Sequence, residues 1–97
     1  MFQRISSLLQ KKFANHALRS QVEAARVIEL AKEQLQTHFG ADILTMCQPL
    51  SVRDGVLSVA VMTSVVAQEI RLREKEILEG INKQVGQPAV TKIQFIH

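Results

Sequence analysis

The chain has 97 residues, enough for one domain and too few for two, which excludes a multidomain enzyme. It is 46% hydrophobic with a mean hydropathy of +0.06, the composition of a packed core and not of a disordered chain. The net charge of +3 suits a nucleic-acid partner, but four phenylalanines and no Trp or Tyr give few stacking platforms for bases.

Residues 1–22 hold Arg4, Lys11, Lys12 and Arg19 and no acid, whereas the remaining eight cations are outweighed by all nine acids. The basic excess therefore belongs to one segment. Within it Phe2, Ile5, Leu8, Leu9 and Phe13 fall at helical spacing, with Arg4, Lys11 and Lys12 on the intervening face; this predicts a short basic amphipathic helix or arm over 1–20. No stretch has the continuous apolar run of a signal peptide or a membrane span. A soluble cytoplasmic protein with no membrane contact is the expectation.

From Gln21 a second helical pattern begins, with Ala24, Ile28, Ala31, Leu35 and Phe39 as its apolar stripe and Gly40 as its stop. The period then changes to two. Leu50 and Val52 alternate with Ser51 and Arg53, Asp54-Gly55 supplies a tight turn, and Leu57, Val59 and Val61 alternate with Val56, Ser58, Ala60 and Met62. This is the signature of a β-hairpin, and Pro49 confines its first arm to an edge.

Thr63 or Ser64 caps a long helix carrying Val66, Ile70, Ile77, Leu78, Ile81 and Val85, with Glu69–Arg73 and Glu79–Lys83 as i,i+4 pairs on its polar face. Gly86-Gln87-Pro88 ends it. Ala89, Thr91, Ile93 and Phe95 alternating with Val90, Lys92, Gln94 and Ile96 read as a terminal strand. The order α-α-β-β-α-β gives an α+β fold: a small mixed three-stranded sheet, its last strand parallel to the second, two long helices on one face, and the N-terminal amphipathic helix besides. Val56, Ser58, Ala60, Met62, Val90 and Ile96 would then form a mostly apolar outer face. The segment Phe2 to Phe13 is the cheapest cover for it, folded back or supplied by a second copy.

Catalytic and ligand motifs are missing from the sequence. Cys47 is the only cysteine and His16, His38 and His97 are scattered, so there is no nucleophile–base set, no disulfide and no metal-ligand spacing. The isolated glycines form no phosphate loop and no Gly-x-x-Gly clamp. We expect no enzyme activity, no cofactor and no metal. A nucleic-acid reading rests on charge: Arg4, Lys11, Lys12 and Arg19 first, and secondarily Arg71, Arg73 and Lys75, which Glu69, Glu74, Glu76 and Glu79 surround. The competing reading is a protein-interaction or self-association module without nucleic-acid contact. It would use Phe2, Ile5, Leu9 and Phe13 together with Val56, Met62 and Val66.

The stretch Pro49-Leu50-Ser51-Val52-Arg53-Asp54-Gly55-Val56-Leu57-Ser58-Val59-Ala60-Val61, then Thr63 to Ile70, Ile77-Leu78-Glu79-Gly80-Ile81-Asn82 and the closing Val90 to Phe95, resembles the DciA family of bacterial proteins from about Gln21 to the end. The resemblance implies a KH-like domain over 21–97 of a replication protein that binds DNA, single-stranded or at strand junctions. It also implies the replicative helicase DnaB as partner, which the protein helps to load. A homodimer through the N-terminal helix is a further expectation. Two departures bear on this: the family often has Trp where this sequence has Val66, and members continue into a basic tail where it stops at His97, so tail-dependent loading is not expected of these residues.

Overall fold

The computed structural model describes residues 23–97, so the expected arm with Phe2, Arg4, Ile5, Leu9, Lys11, Lys12, Phe13 and Arg19 lies outside the described residues. Helix α1 covers 23–39 and is followed by a short 3-10 turn, Ala41–Thr45. Strands β1 (Cys47–Arg53) and β2 (Val56–Val61) form the hairpin, helices α2 (Ser64–Leu72) and α3 (Glu74–Val85) follow, and β3 (Lys92–Ile96) closes the chain. The sheet order is β1-β2-β3, antiparallel then parallel. The α+β architecture read from the sequence is the one found.

The hairpin turn has both central residues at positive φ, Asp54 at 51° and Gly55 at 78°, the geometry that matches strand twist in a two-residue loop. Its carbonyl also reaches across the sheet, because Gly55 O accepts the N–H groups of Thr91 (2.7 Å) and Lys92 (3.2 Å) and the Thr91 hydroxyl (3.3 Å). A Cβ at Gly55 would stand 3.1 Å from Thr91 Oγ1 in a backbone region that disfavours L side chains. Gly55→Ala is therefore expected to cost about 1–2 kcal/mol, read as a lowered urea midpoint with unchanged slope.

Cross-strand register sorts the two faces. Rows Val52–Leu57–Ile93 and Pro49–Val59–Phe95, with Cys47–Val61, face the helices. Against them pack Val27, Leu30, Ala31 and Leu35 of α1, Ala67 and Ile70 of α2, and Ile77 and Ile81 of α3, in one buried cluster. Burying such a contiguous set is the main favourable term of the fold. Helix α1 is held to α3 at one end by Arg26, whose guanidinium donates to the Gln84 carbonyl at 3.1 Å in the last helical turn.

Five expectations need correction. The buried stripe of α1 is Val27, Leu30, Ala31 and Leu35, with Ile28 and Phe39 only half-buried, because α1 is rotated so that Gln34 lies over Gly80 of α3, where a Cβ would collide with its amide. The long helix after Thr63 is two helices, broken at Arg73 (φ −113°, ψ 15°). The Glu69–Arg73 and Glu79–Lys83 pairs do not form; among the described residues the ion pair joining α2 and α3 is Arg71–Glu74, and Glu76 of α3 instead lies 3.7 Å from His38 Nδ1 of α1. The hairpin register shifts between Pro49 and Ser51, leaving Leu50 without a partner on β2.

The outer face is the last correction. Its rows are Gln48–Ala60–Ile96, Ser51–Ser58–Gln94 and Arg53–Val56–Lys92, so β1 and β3 make it mixed and not mostly apolar. Val90 is missing from it. That residue precedes β3 and is fully buried, 0% exposed, with both its backbone groups taken by the Asn82 side chain.

Candidate nucleic-acid interface

The break at Arg73 organises the surface beside β3. Thr63 caps α2 by accepting the Val66 N–H at 3.2 Å, which sets Ser64, Ala67, Gln68 and Arg71 along the side of α2 that looks at β3. Between this row and Lys92, Gln94, Phe95 and His97 runs an open groove of about 660 Å³. Strand β3 is an edge strand. Its Lys92 N–H points to the hairpin turn and its Ile93 N–H points outward, to Glu74, so by alternation the Phe95 N–H also points away from β2.

Arg71 is the centre of this groove. Its guanidinium carbon lies 5.0 Å from the Phe95 ring centroid, a cation–π contact, and its Nη1 is 3.8 Å from Glu74 Oε2. Glu74 is the first residue of α3, and its other oxygen accepts the Ile93 N–H at 2.8 Å. That contact is what the helix break makes possible. A continuous helix would carry Glu74 onward around the helix axis, whereas the turn at Arg73 starts α3 with this side chain against the strand edge.

The three cations expected as one cluster are thus separated. Arg71 enters the groove with Phe95; Arg73 instead lies over the ring of Phe39, 5.4 Å from its centroid, against the end of α1; Lys75 is exposed on α3. Of the expected partner positions, Val56 is half-buried on the outer sheet face where the central strand leaves the hairpin turn, Val66 is half-buried against the core, and Met62 is 75% exposed just beyond β2. Lys92, Gln94, Phe95 and His97 were not singled out in the sequence, where only their position on a strand returning beside α2 could have drawn attention to them.

Cys47 is buried at the start of β1, its Sγ 3.5 Å from the Ile43 carbonyl. Burial pushes its thiol pKa up, which keeps it protonated and unreactive. Among the described residues no group of three His, Cys, Asp or Glu side chains could hold a metal ion, and no helix is long and apolar enough to cross a membrane.

The model of the family described as "Dna[CI] antecedent, DciA" matches residues 4–95. The chain belongs to the DciA family. The matched span includes the groove residues from Ser64 to Phe95 and the basic segment from Arg4 onward. The DciA family acts in DNA replication and is associated with the DnaB helicase, which gives the chain a helicase-loader-like role. None of the curated proteins matches the chain.

Proposed function

We infer that the protein is a cytoplasmic, non-enzymatic adaptor of the helicase-loader type, a KH-like domain over 21–97 with a basic arm over 1–20. It holds DNA through phosphate contacts and engages the replicative helicase DnaB. The observation that carries the DNA reading is the groove between α2 and β3, where Arg71 stacks on Phe95, with Gln68 on the α2 side and Lys92 and Gln94 along the strand edge. Cations that can meet phosphates and an aromatic ring that can meet a base are the two elements of single-strand binding. Arg4, Lys11, Lys12 and Arg19 add the charge of the arm.

Titrating labelled single-stranded DNA over a range of salt tests this. With six cations engaged, log K should fall against log salt with a slope of roughly −4, and Arg71→Gln/Lys92→Gln should make it shallower by about 1.4. Affinity indifferent to salt overturns the phosphate role.

A second reading, a protein-interaction module without DNA contact, is favoured by the solvent side of α2. Val65 and Leu72 share a helix face and are 67% and 74% exposed, with Met62 just ahead of them at 75%. Capture of the helicase by a protein that shows no salt-dependent DNA binding is the result that would favour it. Homodimerisation through the N-terminal segment belongs to the same reading.

A further inference from the structure

The Arg71–Glu74–Ile93 cluster has the form of an occupied anion site. Its donors come from different elements: a guanidinium on α2 and the outward N–H of an edge strand. The two oxygens of Glu74 divide between them, Oε1 on the Ile93 N–H at 2.8 Å and Oε2 toward Arg71 Nη1 at 3.8 Å. The site lies at the foot of the α2–β3 groove, with the Arg71 side chain 57% and the Glu74 side chain 22% exposed. It is open enough for exchange with a ligand and sheltered enough for the contacts to count.

Resting on the DNA reading above, we propose that Glu74 is a built-in competitor for this site: its carboxylate stands where a backbone phosphate of a bound strand makes its contact with Arg71 and the β3 edge. Both groups offer two anionic oxygens in a similar fork, and both satisfy the same donors. In the free protein the carboxylate neutralises Arg71 and covers a strand-edge donor that would otherwise invite pairing. When a strand enters, a phosphate displaces the carboxylate, and the cost of moving Glu74 sets an upper limit on affinity. A loader gains from that limit, because it has to release the strand it helps to deliver.

Glu74→Gln separates this role from a purely structural one. The amide oxygen still accepts the Ile93 N–H, so the strand-edge contact survives, but the charge facing Arg71 is gone. With labelled oligo(dT) at low salt, Glu74→Gln should bind about two- to five-fold tighter than the unaltered protein, with a similar salt slope, because Arg71 meets a phosphate in both. In an Arg71→Gln background the gain should disappear. In the unaltered protein, the Ile93 amide signal in a nitrogen–proton NMR spectrum should move on saturation with the oligonucleotide.

An unmoved Ile93 amide, or a Glu74→Gln variant that binds no tighter, overturns the competitor role while leaving DNA binding in place. An equal gain in the Arg71→Gln background also overturns it, since that would mark a general loss of negative charge. If the unaltered protein and the variant both fail to bind DNA at low salt, the DNA reading falls and takes this proposal with it.

Discussion

Asn82→Ala should be the most damaging single substitution outside the apolar core, lowering stability by about 2–4 kcal/mol. Asn82 Oδ1 accepts the Val90 N–H at 2.9 Å and its Nδ2 donates to the Val90 carbonyl at 2.7 Å. One side chain on α3 thereby supplies both partners of a residue that is 0% exposed and lies outside any strand. Alanine leaves two buried backbone groups unpaired, each worth roughly 1–3 kcal/mol of desolvation. Domains of this size unfold with only about 5–15 kcal/mol in hand, so the expected loss lowers Tm by roughly 10–25 °C. Asn82→Asp, which keeps the acceptor and loses the donor, should fall between the two. Thermal unfolding followed by circular dichroism decides the matter; an alanine variant within 1 kcal/mol of the original would mean that water reaches Val90 and that the clamp contributes little.

The same clamp marks the boundary of what could be read from the sequence. The hairpin was legible because Asp54-Gly55 and the alternation around it are local signals, and the parallel return of β3 follows from the handedness of strand–helix–strand units. The break at Arg73 was not. Ile70 and Ile77 stand seven residues apart, two helical turns, so the apolar stripe keeps phase through the break and periodicity cannot reveal it. What accompanies the break is a contact from Glu74 to Ile93, 19 residues away, which no local pattern announces. Likewise Val90 alternates as an outer-face residue until Asn82 turns it inward, and α1 has apolar residues on two adjacent faces, of which close packing against Gly80 selects one.

The candidate site shows the same division. Arg71, Arg73 and Lys75 were grouped because they are neighbours in sequence, yet the break sends Arg71 toward Phe95 and Arg73 toward Phe39. The actual neighbours of Arg71 come from β3, which the crossover brings alongside. Charge counting found one of the groove's cations and none of its aromatic surface, because spatial adjacency across a crossover leaves no mark on local composition.

Phe95→Leu is the corresponding functional experiment, with an expected loss of single-strand affinity of five- to 150-fold, about 1–3 kcal/mol for one base–aromatic stack. Leucine retains apolar volume at a half-buried position packed against the core, so stability should change by less than about 1.5 kcal/mol and the binding loss cannot be attributed to unfolding. Arg71 is held in the free protein by two weak partners, the Phe95 ring at 5.0 Å and Glu74 at 3.8 Å. A base that replaces the guanidinium over the ring releases Arg71 to a phosphate, so stacking and charge pairing strengthen each other at this one residue. Arg73→Gln is the control, because its guanidinium lies over Phe39 and away from the groove; it should change affinity by less than about two-fold, as expected of a single exposed cation. If Phe95→Leu binds as tightly as the unaltered protein, the groove is not where the strand lies, and the phosphate contacts must come from the arm or the other basic surfaces.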